Sequence, residues 1–443
     1  MKRQLHLNLF IQGRGSHEAA WRHPLSSTAE LTDISYYQNL ARRAEAGLFD
    51  SIFFADQLTT NTAQTKSAKA LQVWLEPITM LAAIAVATTR IGLIATGSST
   101  YTEPFNLARQ FASIDHISQG RAGWNIVTSW MAAAARNFGD TGQLSHSERY
   151  ALAEEHVQIV KGLWDSWADD TIIDDRQNAV FANTNRIRPI DFKGEYFNVA
   201  GPLNLPRGPQ GHPVLVQAGS SEDGRGFAAR HAEAVFTAHI EKTTAQAFYS
   251  DMKKRVAAEG RRPDQVLILP GLCPTIASTE AEAKRLLLEL SNYADVEIAV
   301  KYLGTWFGGH DFSHLPLDRP LTVADFPELA TIETSKSRTE MVINLIQRED
   351  LTLRELLARF AHIGGHYLFA GTAEQVADLI EDWFLNGAAD GFNLMPPLLP
   401  SMLDIFIDEV VPLLQRRGLF RTEYQGTTLR EHYGLERPAS VFV

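Results

Sequence analysis

Cysteine is almost absent from this sequence of 443 residues, which contains only Cys273. One cysteine excludes an intrachain disulfide, and its place directly after the apolar stretch 266–272 predicts a small core residue rather than a redox centre. Long hydrophobic runs are also missing. Residues 1–10 alternate polar and apolar types where a signal peptide would be uniformly apolar, and no later apolar stretch reaches membrane-spanning length. These absences predict a cytoplasmic protein with no membrane partner.

Positive charge is in deficit, with 41 Lys and Arg against 52 Asp and Glu and a net charge of -11. Nucleic-acid binding needs a concentrated basic face, so no nucleic-acid partner is expected. The Gly-x-Ser-x-Gly elbow of serine hydrolases does not occur. His362 and His366 stand four residues apart, but Gly364 and Gly365 between them disfavour a shared helix face. We therefore expect no metal site.

The chain alternates short apolar segments with amphipathic helical segments. The predicted strands are 5–11, 51–56, 90–96, 122–128, 213–218, 234–238, 266–272 and 391–395. Alternation of this kind predicts parallel strands with helical crossovers, and eight such units are the number that closes a (β/α)8 TIM barrel of the α/β class. A doubly wound open sheet is the alternative, and Gly224-Arg-Gly226 loosely matches its dinucleotide fingerprint. These glycines lie too far behind their strand, and the expected acidic residue is missing.

Two segments interrupt the alternation. Residues 168–211 are too polar and too long for a simple connection, and we interpret them as an insertion holding a small hairpin near 193–199. Residues 291–371 mix helical and loop patterns between strands seven and eight, and their size predicts a cap over the barrel mouth, with glycines 304, 308 and 309 as hinges. Residues 1–443 are thus predicted to form a single barrel domain with insertions.

Function in such a barrel gathers at the carboxyl ends of its strands, so the polar residues that end the apolar segments are candidate ligands. They are Asp56, Thr96, Ser98, Ser99, Asn125, Thr128, Gln217, Ser220 and Ser221. A rim of neutral hydrogen-bonding groups suits a planar ligand with a polar edge better than it suits a metal ion. Asp56 by itself is explained equally well as the cap of its loop.

Two further segments concentrate chemically active side chains. Residues 17–24 follow the first strand and place His17, Trp21 and Arg22 just beyond the mouth, with Arg22 as one candidate partner for a substrate carboxylate. Residues 145–150 begin a helix, where free backbone N–H groups favour an anion such as phosphate near His146 and Tyr150. Helix capping by His146 and ordinary loop packing of Trp21 are the alternatives.

An ordered set of motifs extends these patterns over nearly the whole chain. The motifs are WRHP (21–24), FFAD (53–56), STYTEP (99–104), LAR (107–109), DHISQGRAGWNIVTS (115–129), NFG (137–139), HSERY (146–150), QAGSSEDGRGFAARHA (217–232), DGFNL (390–394) and PLLQRRGL (412–419). This set resembles the bacterial luciferase-like flavin monooxygenase superfamily. Within it, the set is most similar to the group of nitrilotriacetate, dibenzothiophene-sulfone and long-chain alkane monooxygenases.

The resemblance implies a monooxygenase that uses reduced flavin mononucleotide (FMN, reduced form FMNH2) with dioxygen as co-substrate. A C4a-peroxyflavin would then oxidise a small organic substrate. The phosphate would be held by His146, Tyr150 and the pair Ser220 and Ser221. The ring would be lined by the strand-end residues Asp56, Thr96, Asn125 and either Ser98 or its neighbour Ser99. His17 and Trp21 are the candidate catalytic residues, with the His17 imidazole able to exchange protons near neutral pH.

Because the chain offers no separate nicotinamide site, we predict a two-component system in which an NAD(P)H:flavin reductase supplies FMNH2. The resemblance also implies a homo-oligomer. Two alternatives from other functional classes are a non-catalytic flavin-binding barrel and a deazaflavin-dependent oxidoreductase.

Overall fold

A computed structural model describes residues 3–60, 73, 75–129, 131–139, 142, 144–329, 332, 336–360 and 365–440. Its strands are β1 (His6–Phe10), β2 (Ser51–Phe54), β3 (Gly92–Ser98), β4 (Ala122–Val127), β5 (Ile172–Asp175), β6 (Val180–Ala182), β7 (Phe192–Lys193), β8 (Asn198–Val199), β9 (Val214–Gln217), β10 (Ala234–Thr237), β11 (Leu267–Ile276), β12 (Tyr367–Gly371) and β13 (Gly391–Leu394).

Eight of these strands close into a parallel barrel. The order around it is β1, β2, β3, β4, β9, β10, β11 and β13, and β13 pairs back onto β1. All eight coincide with predicted strands, so the (β/α)8 barrel is confirmed and the open doubly wound sheet was the wrong alternative. Closure brings the carboxyl ends of all eight strands to one mouth.

Helices surround the barrel and fill the longer connections. They are α1 (Ile34–Ala46), α2 (Pro77–Ala85), α3 (Pro104–Ile117), α4 (Ala132–Ala135), α5 (His146–Trp164), α6 (Glu222–His231), α7 (Lys242–Ala258), α8 (Glu280–Asn292), α9 (Val296–Trp306), α10 (Lys336–Arg348), α11 (Leu353–Phe360), α12 (Ala373–Leu385), α13 (Ser401–Ile405), α14 (Val411–Arg416) and α15 (Leu429–His432). A π-helical turn, Phe406–Val410, joins α13 to α14. Among the helices described, none has both the length and the apolar character needed to cross a membrane.

Local sequence explains where the main helices begin and end. Pro77 and Pro104 open α2 and α3, where a missing backbone N–H costs little. Gly47 is the C-terminal cap of α1, but the residue in the left-handed conformation is Leu48, with φ of 62°. Gly47 is required for another reason, since a Cβ there would lie 2.8 Å from Cγ1 of Ile407.

The C-terminal segment fills the amino end of the barrel. Leu429 is completely buried inside the lumen, and an ideal Cβ on Gly92 would lie 2.4 Å from its Cδ1 atom. The Tyr433 hydroxyl donates to Oδ1 of Asn8 at 2.9 Å. Because this end is closed by α15 and Tyr433, a ligand enters the barrel from the opposite mouth.

The two insertions carry structure of their own. Residues 168–211 hold two antiparallel pairs, β5–β6 and β7–β8, of which the second coincides with the predicted hairpin. Helices α9, α10 and α11, all placed between β11 and β13, pack around a separate apolar cluster that includes Trp306, Phe312 and Phe360. Ile240, just after β10, packs against this cluster, so the cap touches the mouth. Strand β12 extends the pairing of β11 and was not predicted. The division of the chain into domains stays a prediction.

Candidate functional site

Neighbouring strands share a line of hydrogen bonds at the mouth. The register sets Thr96 beside Asn125, and the Asn125 amide donates to Oγ1 of Thr96 at 2.8 Å. Thr96 in turn donates to the Phe54 carbonyl at 3.0 Å. The buried oxygens that have no hydrogen-bond partner among the described residues include two at this end of the barrel, Oδ1 of Asn125 and Oε1 of Gln217 on the adjacent strand β9. A buried acceptor left unpaired is costly, so both indicate a ligand with N–H groups.

Asp56 lies two residues beyond β2 and is half-buried. Its Oδ1 accepts a hydrogen bond from the Gln57 backbone at 2.8 Å, so part of its role is the loop cap considered above. Burial, with a smaller contribution from the charge of Glu76, raises the pKa of Asp56 to about 6. This carboxyl group therefore changes charge close to neutral pH.

The Ser98 hydroxyl makes hydrogen bonds within the protein itself. Its Oγ lies 2.7 Å from Oγ of Ser129 and accepts from the backbone of Thr100 and Tyr101, both at 3.2 Å. The neighbouring Ser99 hydroxyl donates to the Val127 carbonyl at 3.1 Å. Both serine hydroxyls thus shape the turn after β3, which makes a contact with a ligand a secondary role for either one.

The predicted phosphate residues converge at the start of α6. An ideal Cβ would lie 2.7 Å from the Tyr150 hydroxyl at Gly219 and 2.9 Å from it at Gly224, so a side chain at either position would displace this hydroxyl. Ser221 caps the helix by accepting from the Gly224 backbone at 3.1 Å, and its Oγ lies 3.3 Å from Nε2 of His146. We call Tyr150, His146, Ser221, Gly219 and Gly224 the anion cradle. Ser220 immediately precedes it in the chain.

An acidic residue also faces the anion cradle. Oδ2 of Asp223 lies 2.9 Å from Nδ1 of His146. When Nδ1–H donates to this carboxylate, Nε2 carries a proton only in the imidazolium form, which also adds the positive charge that an anion needs. Burial raises the pKa of Tyr150, which keeps its hydroxyl protonated as a donor.

His17 lies on a different side of the mouth from the anion cradle. It is buried, and its Nδ1 accepts from the Ala19 backbone at 3.1 Å, which assigns the proton of a neutral ring to Nε2. The Ser16 hydroxyl donates to the Met395 carbonyl at 2.8 Å and fixes this loop to the end of β13. Trp21 is more exposed, at 39%. The Arg22 guanidinium lies over the Tyr293 ring, 5.2 Å from its centre, and its role toward a substrate carboxylate stays a prediction.

Two histidines that the sequence did not single out as ligands also border the mouth. His366 stacks on Phe236 with ring centres 4.9 Å apart, and His239 lies 3.0 Å from the Thr237 hydroxyl through Nε2. His239 follows β10 directly, so the rule applied to the other strand ends would have found it. His362, considered above with His366, lies outside the described residues. No cluster of metal-binding side chains occurs in the described ranges.

This arrangement fits a flavin nucleotide. Asn125 and Gln217 offer unpaired acceptors of the kind that complement a ring N–H, and the anion cradle combines a buried hydroxyl, an imidazole and a glycine-lined helix start. Thr96 and Asn125 would hold the ring of the flavin. Tyr150 and Ser221 would hold its phosphate.

Comparison with known proteins identifies the family of this chain. The family model "Luciferase-like monooxygenase" matches residues 14–390. N-acetyl-S-(2-succino)cysteine monooxygenase of Bacillus subtilis is 46% identical, over 99% of this chain and 98% of the relative. Nitrilotriacetate monooxygenase component A of Aminobacter aminovorans is 45% identical, over 98% and 97%. The crystal structure of riboflavin lyase with modified FMN and riboflavin superposes with a TM-score of 0.86 at 32% identity, over 98% of this chain and 97% of the other.

The family match spans most of the chain, and the similarity to these relatives runs end to end. Nitrilotriacetate monooxygenase is among the proteins that the motifs resembled, so the predicted family is confirmed. The chain belongs to the luciferase-like monooxygenase family.

Proposed function

We propose that this protein is the oxygenase of a two-component system, which uses FMNH2 and dioxygen to oxidise a small organic substrate. The observation that carries the proposal is the anion cradle, in which Tyr150, His146 and Ser221 meet at the glycine-lined start of α6. The relative named as a component A supports the separation of oxygenase and reductase.

When bound, the reduced flavin supplies the electrons that activate dioxygen. The chain's own groups then have four tasks. The anion cradle fixes the phosphate, while Thr96 and Asn125 orient the ring edge from adjacent strands. His17 holds a proton at Nε2 beside the mouth, and the cap excludes water. A barrel that only stored flavin would have no use for a buried imidazole on the side away from the cradle.

The two-component proposal is tested by changing the source of the electrons that reduce the flavin. We expect the pure protein to consume no NADH when it is given NADH and oxidised FMN. Adding an unrelated flavin reductase, or chemically reduced FMN, should permit oxidation of N-acetyl-S-(2-succino)cysteine or nitrilotriacetate, measured by product chromatography. Rapid NADH consumption by the protein alone would contradict the two-component proposal. Failure to bind FMN or FMNH2 would contradict the flavin assignment itself.

The anion cradle gives a sharper prediction when two glycines of α6 are compared, Gly224 inside the cradle and Gly226 outside it. Gly224→Ala would force the Tyr150 hydroxyl away, because the new Cβ would lie 2.9 Å from it. We expect FMN binding to weaken by about 1.5–3 kcal/mol, the value of one hydrogen bond to a charged group, as measured by calorimetry. Gly226→Ala is the matched control on the same helix, because its Cβ meets nothing closer than Nη1 of Arg230 at 3.7 Å.

The control variant should keep its FMN affinity and gain up to about 1 kcal/mol of folding stability, since alanine favours helix more than glycine does. Equal affinities in the two variants would place the phosphate outside the cradle.

A further inference from the structure

The substrate side of the same mouth contains a buried imidazole, and its assignment below rests on the proposed function. The His366 ring lies nearly parallel to Phe236, with an angle of 8° between the planes, and is 9% exposed. Its Nδ1 has no partner within the described residues, and an ideal Cβ on Gly271 would lie 2.3 Å from it. Because Phe236 belongs to the lumen cluster, the imidazole lies at the inner edge of the mouth.

Arg338 of the cap comes close to this imidazole. An ideal Cβ on Gly365 would lie 2.1 Å from Cε of Met341, so α10 packs against the residue before His366. Arg338 stands one helical turn before Met341 and therefore on the same face of α10. Its guanidinium lies 5.5 Å from the centre of the Trp306 ring. We call Arg338, His239 and His366 the basic wall.

The basic wall has no acidic counterpart in the described part of the chain. No ion pair of Arg338 occurs there, and Glu241, two residues after His239, is paired with Arg348 at 2.9 Å. Burial, followed by the charges of Arg338 and His239, lowers the pKa of His366 to about 3. A hydrogen bond to the Thr237 backbone opposes this lowering of the His366 pKa. Burial lowers the pKa of His239 to about 4 as well, so both imidazoles are neutral at neutral pH and the charge of the basic wall is that of Arg338. In a protein of net charge -11, a partly buried guanidinium without an ion pair to a described acid is an uncompensated charge.

We propose that the basic wall receives a carboxylate of the substrate, so that the substrate class of this enzyme is small organic carboxylates. A carboxylate accepts two parallel hydrogen bonds from a guanidinium, and the low dielectric of a closed mouth strengthens the pairing. Neutral substrates would leave Arg338 without this partner. Arg338 is a specificity-determining residue in this proposal, and the imidazoles complete the polar lining.

Direct binding tests the proposal without requiring turnover. Thiodiacetate and glutarate are titrated calorimetrically into FMN-loaded and into flavin-free protein, beside their dimethyl esters. We expect Arg338→Gln to weaken dicarboxylate binding at least tenfold, and Arg338→Lys to weaken it less. Arg354→Gln, which removes a cap arginine already paired with Asp318 at 2.7 Å, is the matched control and should bind like the unchanged protein. The esters should not bind measurably.

Three outcomes would overturn the proposal: equal affinity in Arg338→Gln, esters that bind as tightly as the acids, or no binding of either dicarboxylate by the unchanged protein. Melting temperatures identify a variant that fails to fold, in which case Arg338→Lys decides. FMN affinity is measured separately. Its absence contradicts the proposed function, whereas normal FMN binding without a carboxylate preference contradicts only the basic wall.

Discussion

FMN binding is expected to weaken by about 2–4 kcal/mol when Tyr150→Phe and His146→Ala are combined, because each change removes one hydrogen bond to the phosphate. The phenylalanine keeps the ring that packs against Phe227, with ring centres 5.8 Å apart, so the loss belongs to the hydroxyl. His146→Ala also leaves Asp223 without its imidazole partner beside the bound anion. The lost hydrogen bonds and the unpaired carboxylate of Asp223 both weaken FMN binding.

Calorimetric titration with FMN measures this change. The single variants show whether the two groups act independently, since neighbours in one cluster are rarely additive. Tyr196→Phe, in the β7–β8 connection, is the control for losing a tyrosine hydroxyl elsewhere. Unchanged affinity in the double variant would move the phosphate site away from α6.

Turnover is expected to fall about 100- to 10,000-fold in His17→Asn while FMN affinity stays the same, the range usual for a lost general acid or base. Asparagine retains an oxygen able to accept from the Ala19 backbone, so the loop is preserved while the titrating group is lost. Stopped-flow and steady-state assays with chemically reduced FMN give the turnover rate, and calorimetry gives the affinity.

His23→Asn is a closely matched control. His23 is also buried, and its Nδ1 accepts from the Leu25 backbone at 3.1 Å, the same local arrangement as at His17. Its ring faces Tyr293, with centres 5.9 Å apart, rather than the end of β13. Equal rates in His17→Asn and the unchanged protein would remove His17 from the chemistry. Equal losses in both variants would indicate damage to the loop.

The barrel was predictable because each of its strands is a short apolar run followed by a helix, a pattern carried by neighbouring residues. The convergence of His146, Tyr150 and Ser221 followed from two helix starts that the barrel geometry brings together. The role of each of these residues stays a prediction, as does that of Trp21.

Other features depend on contacts that sequence patterns do not encode. The Ser98 hydroxyl is engaged by a residue of the next strand connection, Ser129. His366 reaches the mouth because it stacks on Phe236, which is far away in the chain. Strand β12 forms only because the second half of β11 extends beyond the barrel and offers it an edge. In each case the contact joins residues that are distant in the sequence, so only the folded structure shows which residues meet.

The closed amino end of the barrel has a consequence for synthesis of the chain. Leu429 and Tyr433 fill the lumen from a segment that follows every barrel strand, so the ribosome makes them after all the strands. Until they emerge, the lumen side of Gly92 and Gly123 faces an empty space lined with apolar side chains. Partly made chains that expose such surface are prone to aggregation. We therefore expect the nascent barrel to depend on chaperones until α15 is released and docks.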